Sequence, residues 1–541
     1  MSDKYVLILG AGLMQRPSIE AARELGYKTL VVDGNPNALC ASYADRFEPV
    51  DLKDWDGLLK LALSMKDELA GVFTAGTDFS ASVSYVAEKC GFVSHSLDAA
   101  LNASDKTRMR SCFKKAGVPS PNFSKISRAE IVSYLKPGVL AGLSYPKVVK
   151  PVDNMGARGC RLIRNEKEFL FSVEEAVRYS RTGTAILEDY MDGPEFSIDS
   201  IVYDGTLTIT GFADRHIFYP PYFVEMGHTM STTVSVADKY ALIKTFALGI
   251  KALGLTAGVA KADIKLTEKG AMIGEIAARL SGGYMSGWTY PYASSLHLTK
   301  QAMLIALGKE PEELVKRRIP LDIEGCPFKV YEVACNKTSA ERAWISIPGK
   351  VYDICGLTAA ENEPFVKNVL PRSCKGSEID FPRNNVEKCG NVISVSDSYD
   401  LAVLAAEHAV SSIVMRLEPH VSATDDFLNG SSKVCEEGFP ADAFSVDESF
   451  SKTMDAFAQR NPVIGKNVNV SNFILGTGSH FADILKDCAL KDYNYRTFEK
   501  TMRLFDSLCP EHSELDTKVF LQRIVRGGIQ GALYYSDCTG I

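Results

Sequence analysis

The sequence predicts an α/β protein that opens with a parallel sheet wound by helices. Three observations carry this. Strands and helices alternate through the first hundred residues, hairpins replace that alternation from about residue 104, and a second apolar α/β stretch begins near 325. At 541 residues the chain exceeds one core, and roughly one domain per 100 to 200 residues gives three or four units. We therefore expect an N-terminal parallel α/β domain over 1–103, a two-lobed α+β domain over 104–320 and a C-terminal α/β subdomain over 321–418. A linker and partly helical extension would fill 419–541.

Each element follows from local pattern. "YVLIL" (5–9) is a buried strand, and a helix runs from Pro17 to Leu25, with proline in its first turn and Ile19, Ala22 and Leu25 on one face. "TLVV" (29–32), a helix near 55–69, "GVFTA" (71–75) and a helix near 79–90 complete the first domain. Further on, "FSIDSIVY" and "TLTITGFA" flank Asp204-Gly205, a pair that accepts the positive φ angles of a tight hairpin turn. "EPHVSATDDFLNGSSK" (418–433) has the composition of a linker. The last hundred residues carry helical patterns such as "FADILKDCALKD" and no motif, and the chain shows no internal repeat.

Composition narrows the function. Charged residues make up 23% and the net charge of -7 has no long single-sign block, so a nucleic-acid partner is not expected. No window reaches the length of a membrane span, and the N-terminus lacks the apolar core of a signal peptide. The 13 cysteines contain no C-x-x-C pair, which argues against a zinc site or disulfide framework and for a cytoplasmic protein. "GAGLMQ" after the first strand lacks the third glycine of a dinucleotide fingerprint, having Gln15 there, so NAD is disfavoured.

Chemistry concentrates in the second domain. In "YPKVVKPVDNMGARGC" (145–160), Lys150 ends a strand just before a loop in which Gly156 and Gly159 let backbone amides approach an anion. In "GVAKADIKL…TEKG…AMIGEIAARLSGG", Asp263 and Glu275 are equidistant from Lys269, so a symmetric hairpin sets them opposite each other about 4.5 to 5.5 Å apart. Such a pair repels unless Lys261 and Lys265 neutralise it or it shares a hard cation. Arg279, four residues on, has the planar fork suited to a carboxylate or phosphoryl group.

Together with "ASDKTRMR" and "ILEDYMDGPEFS", these motifs in this order resemble the ATP-grasp superfamily. Within it they resemble the carboxylate-amine ligases related to biotin carboxylase, carbamoyl phosphate synthetase and the L-amino acid ligases. The resemblance covers roughly residues 1–320 and more faintly reaches 418. It implies Lys106 and Lys150 as phosphate lysines and "DNMGARG" as the loop that closes over the phosphates. It also implies Glu188 and the backbone of Asp189 and Met191 at the adenine, and Glu195 at the ribose. Asp263 and Glu275 take the Mg²⁺ positions, with Mn²⁺ as an alternative, and Arg279 steadies an acyl phosphate. The cofactors implied are ATP and Mg²⁺, and the partners are a small carboxylate and a small amine, with room for a homodimer.

Two positions depart from the family pattern: Ala277 stands where asparagine often adds a metal ligand, and Asp263 where glutamate is usual. "RLSGGY" replaces the bicarbonate motif of biotin carboxylase, and no biotinyl-lysine motif occurs, so biotin-dependent carboxylation is disfavoured. In "DRHIFYPPYFVEMGHTMST", Arg215 and Glu225 could take the two ends of an amino acid, with His228 beside them; aromatic packing of that loop explains it equally well. Thr77 and Asp78, after the third strand, lie where open α/β sheets bind ligands, although Asp78 also suits a helix cap. The sequence thus predicts an ADP-forming carboxylate-amine ligase. Its rival is a nucleotide-binding regulatory protein that keeps the clamp without the chemistry.

Overall fold

The computed structural model describes residues 3–431 and 438–540. Its internal contacts divide the chain into two units rather than four domains. The first comprises Met1–His216, His228–Ala340 and Val395–Tyr399, and the second Ile217–Gly227, Glu341–Ser394 and Asp400–Ile541.

The first unit begins with the expected parallel sheet, whose strands run in the order Arg46–Glu48, Lys28–Val32, Tyr5–Leu9 and Leu69–Phe73. Its helices are Arg16–Glu24, Trp55–Ser64 and Ser80–Cys90, the first with proline in its opening turn. Gln15, in the place of a fingerprint glycine, is buried. Its carboxamide donates to the Ala75 carbonyl and accepts from the Ala75 N–H at 3.1 Å, tying two strand ends together where a dinucleotide site would need open backbone.

Beyond residue 105 the unit contains two further sheets, the smaller antiparallel and the larger mixed, since Thr206–Phe218 pairs in parallel with Lys329–Val333. The smaller has strands Phe123–Ser127, Thr184–Asp189, Lys147–Pro151 and Arg161–Ile163 in that order, over a core that includes Phe169, Val173 and Leu187. The larger runs Gly270–Ala277, Gly258–Thr267, Glu195–Tyr203, Thr206–Phe218. Asp204 and Gly205 turn the last pair with φ of 48° and 68°, a conformation that aspartate tolerates and glycine, lacking a Cβ, adopts freely. One face of this larger sheet packs on the helix Val236–Leu253 through Ile198, Ile264, Ile273 and Ile276. Its other face carries Glu195, Ser197, Asp199, Lys261, Asp263 and Lys265, because alternate residues of a strand share a side.

The second unit corrects the expected separation of 321–418 from 419–541. Phe381 and Leu417 share one hydrophobic core with Phe457, Phe505, Leu521 and Ile529 of the extension. The stretch read as a linker contains the helix Ser422–Leu428, whose Phe427 and Leu428 enter that core; residues 432–433 lie outside the described ones. Polar neighbours hid two buried side chains. The twelve cysteines of the described residues are free thiols, and no described helix is long and apolar enough to cross a membrane.

Candidate active site

Lys106 opens the helix Lys106–Ala116, capped by Asp105, whose carboxylate accepts from the N–H of Thr107 and of Arg108 at 2.7 and 3.0 Å. The cap fixes the lysine at the helix start. Its ammonium donates to the Asn154 carbonyl at 3.0 Å and lies 3.3 Å from Glu275 Oε1. Burial opposes its charge, but Glu275 and Asp78 outweigh burial and raise its pKa. One side chain therefore meets both the glycine loop and the carboxylate hairpin.

The glycine loop follows the strand Lys147–Pro151. Gly156, Ala157 and Gly159 have φ of 69°, 60° and 68°, the left-handed conformation a compact loop needs. Gly159 has a second reason: a Cβ there would come within 2.9 Å of the Tyr179 side chain. Asn154 anchors the loop by donating to the Tyr179 carbonyl at 2.7 Å.

Lys150 lies 2.7 Å from Glu188 Oε2, and the buried Arg110 approaches Glu188 Oε1 at 2.6 Å. Burial works against a charged Glu188, yet these two cations prevail and lower its pKa. The Glu188 carboxylate, expected at the adenine amino group, is therefore already engaged by two cations. The Asp189 side chain pairs with Lys147 at 2.5 Å and accepts from Asn122 at 2.8 Å. Its N–H donates to the Asn122 carbonyl at 3.0 Å. The Met191 carbonyl accepts from Lys265 at 3.1 Å.

Asp263 and Glu275 do face each other, by a route the sequence did not reveal. Thr267 pairs with Gly270 and Ile264 with Ile273, a register that by itself would set Asp263 against Gly274. A bulge at this point adds one residue and brings Glu275 opposite Asp263. The same bulge lets Ile273 and Ile276, three apart, both enter the core. The carboxylates do not stand as a repelling pair: Lys106 compensates Glu275, while Lys261 and, at 2.9 Å, Arg215 compensate Asp263. Lys265, expected beside Asp263, pairs at 3.5 Å with Glu195 instead.

Among the described residues no group of three or more His, Cys, Asp or Glu side chains could hold a metal. Asp263 and Glu275 are hard oxygen donors that fit Mg²⁺ only if further oxygens, such as those of phosphate, complete the shell. Ala277, buried opposite Lys261, adds none.

Arg279 approaches Asp78 Oδ1 with both Nε and Nη2 at 3.3 Å. Burial disfavours both charges, but Arg279, with Lys106 nearby, lowers the Asp78 pKa, and Asp78 with Glu275 raises that of Arg279. Asp78 is thus no helix cap; the helix Ser80–Cys90 has no side-chain cap. Thr77 shares a hydroxyl contact of 2.9 Å with Thr74.

The pair proposed for the two ends of an amino acid divides between the units. Arg215 contacts Glu195 and Asp263, on the charged face of the larger sheet. Glu225 belongs to the second unit, where its N–H is held by Asn385 at 2.8 Å and its carbonyl by Lys388 at 2.7 Å. His228 is buried in the strand Val224–Met230. Arg215 lies directly across from Glu195 in the ladder, a register set by the Asp204-Gly205 turn and a bulge near Ile209.

Arg110 and Asp199 were not foreseen. Asp199 is fully buried and accepts from the Ser281 N–H at 3.2 Å and from the Ser281 hydroxyl, fixing the turn after Arg279. Burial pushes its pKa up to about 6. Asp199 alternates with Glu195 and Ser197 on the charged face, the one sequence signal that could have drawn attention to it.

Residues 143–287 match the ATP-grasp domain family, and residues 343–418 match the L-amino acid ligase C-terminal domain 2. The uncharacterized protein y4rH of Sinorhizobium fredii is 23% identical, over 77% of this chain and 84% of its own length. The carbamoyl phosphate synthase large chain of Thermus thermophilus is 24% identical, over 62% of this chain and 32% of its own. The chain thus spans about a third of that relative. Among solved structures, the L-amino acid ligase from Bacillus licheniformis superposes with a TM-score of 0.63 at 20% identity, covering 77% of this chain and 100% of the ligase.

Proposed function

We propose that this chain, whose residues 143–287 match the ATP-grasp domain family, is a carbon–nitrogen ligase that joins an amino acid to an amine through an acyl phosphate, releasing ADP. The observation that carries this is the double contact of Lys106 with the glycine loop and with Glu275, which gathers the phosphate and carboxylate elements around one cation. The choice of an amino acid rests on the L-amino acid ligase C-terminal domain and on the likeness to the Bacillus licheniformis enzyme.

The chemistry follows from charge. A carboxylate is a poor electrophile because its leaving group would be oxide. Its oxygen attacks the terminal phosphorus of ATP, and the bond to ADP breaks. The amine nitrogen then attacks the carbonyl carbon, the bond to phosphate breaks, and the nitrogen loses a proton. Lys106 and Lys150 would exchange Glu275 and Glu188 for phosphate oxygens, the glycine loop would exclude water, and Arg279 would face the forming acyl phosphate. Asp263 and Glu275 would hold Mg²⁺, which when bound supplies charge neutralisation to the phosphates. The Met191 N–H, Asp189 and Glu195 would border the nucleoside. Asp78 and Thr77 would border the acyl group through Arg279. Arg215 is reassigned to balancing Glu195 and Asp263.

Incubation with ATP, Mg²⁺ and a panel of amino acids, followed by nucleotide separation, tests this reading. ADP and phosphate should accumulate with at least one amino acid. AMP as the main nucleotide would contradict the acyl-phosphate route, and ATP binding without turnover on any carboxylate would leave the regulatory reading in its place.

A further inference from the structure

The strongest observation outside the roles already given is the sealed guanidinium of Arg110. Its side chain is 0% exposed and it joins two elements far apart in sequence. Nε lies 2.6 Å from Glu188 Oε1, and Nη2 donates to the Gly274 carbonyl at 2.6 Å. Glu188 is the carboxylate on which Lys150 rests. Gly274 is the extra residue of the bulge that brings Glu275 opposite Asp263. The helix of Arg110 and the segment just after it reinforce the second contact, since the Ile276 N–H lies 3.4 Å from Met109 Sδ and the Ile273 N–H donates to the Pro119 carbonyl at 3.0 Å.

We propose that Arg110 is a positioning residue that sets Lys150 and Glu275 in register with each other. Resting on the ligase reading above, the proposal adds to it the group that fixes the spacing between the phosphate lysine and the carboxylate hairpin. The chemistry selects arginine: its fork reaches a carboxylate with one nitrogen and a carbonyl with another, and its charge persists in a dry site. A bulge residue has lost its ladder partner, so its carbonyl needs a donor from elsewhere. Without that donor the ladder is free to take the simple register, which turns Glu275 from Asp263 toward the apolar face.

Arg110→Lys keeps a charge near Glu188 and loses the fork, so it separates register from charge. Calorimetry of the full chain should show ATP binding without Mg²⁺ within about threefold of wild type, while the gain in affinity on adding Mg²⁺ shrinks by about tenfold. In turnover, kcat should fall at least tenfold with little change in the KM for ATP, and the Mg²⁺ needed for half-maximal rate should rise. Arg110→Met should lose Mg²⁺-free ATP affinity as well, because Lys150 would then be the sole cation on Glu188. The proposal is overturned if Arg110→Lys retains the full Mg²⁺ gain and kcat, or if it fails to fold, which would assign the residue to stability alone. A wild-type chain that binds no ATP would instead defeat the ligase reading.

Discussion

Arg110 and Arg496 are both sealed arginines facing a carboxylate, yet they belong to networks of opposite kind. In the second unit, Arg496 lies 3.2 Å from Asp492, and it also donates to the carbonyls of Ser411, at 2.9 Å, and Ile413. Asp492 accepts in turn from the backbone N–H of Asn494 and of Arg496, each at 2.9 Å. Every one of these partners is internal, so the network closes on itself and pins the extension to the strand Val414–Leu417 and the turn before it. In the first unit, Glu188 is shared between Arg110 and Lys150, and the lysine side chain keeps 14% of its surface exposed. One member of that network can leave for a ligand. A buried charge pair costs several kcal/mol in desolvation. Under the proposed function the first unit meets that cost partly with a lysine that can turn to phosphate, the second with backbone groups that cannot leave.

Removing the exchangeable member should give the largest effect. Lys150→Ala is expected to lower turnover by about 10³-fold, or ~4 kcal/mol of transition-state stabilisation, and to weaken ATP binding in calorimetry. The melting temperature should stay close to wild type, because Arg110 still compensates Glu188. A collapse in stability with unchanged affinity per folded molecule would make the two networks alike.

The converse variant acts on the closed network. Arg496→Met leaves Asp492 without its cation and two carbonyls without their side-chain donor, and breaking such a buried pair costs about 3 to 5 kcal/mol. Urea denaturation should show that loss, while ATP affinity measured on the folded protein changes by less than about twofold. An ATP affinity that falls in step with stability would show that the two units do not divide their roles in this way.

How much of this was legible in the sequence follows the same division. The glycine loop, the Asp204-Gly205 turn and the alternation of the first domain could be read because each depends on neighbours within a few residues. The facing of Asp263 and Glu275 was read correctly from symmetry about Lys269, although the structure achieves it through a bulge at Gly274. Ile273 and Ile276, three apart in one strand, were the visible hint. Arg110 could not be read, because its partners lie 78 and 164 residues away and a single arginine in a helix normally implies a solvated face. Phe427 and Leu428 were missed for the opposite reason, two core residues embedded in a polar stretch. Arg215 was read from its loop motif as holding a substrate carboxylate, and the contact the motif did not show is the one the ladder makes, back to Glu195.

Asp199 offers a pH test of the first unit. Its pKa in the fold, about 6, lies above the ordinary 3.8, so the folded state keeps a proton that the unfolded state has lost. The stability this provides is complete below about pH 4 and disappears as pH rises through 6. Asp199→Asn cannot titrate there. The stability of wild type minus that of the variant should therefore fall by about 2 kcal/mol between pH 4.5 and 7.5 and stay level above. Denaturation at a series of pH values measures it, and a flat difference would mean that Ser281 and Lys261 keep Asp199 ionised throughout.

The smallest effect is expected at Ala277. Ala277 lies directly across the ladder from Lys261, whose ammonium sits on Asp263. In Ala277→Asn the new amide oxygen could accept from Lys261 or add an oxygen toward the cation, and either outcome weakens the hold of Lys261 on Asp263. Mg²⁺ bound as proposed would compete with Lys261 and Arg215 for that carboxylate, so less of it should be needed. A decrease of about threefold in the Mg²⁺ giving half-maximal rate corresponds to ~0.6 kcal/mol, the scale of one exposed or partly exposed ion pair. Substrate preference should not change, because the amide stands on the side of the sheet that carries Glu195 and Asp263. An increase in the Mg²⁺ requirement would mean that Lys261, rather than competing with the metal, holds Asp263 in the orientation the metal needs.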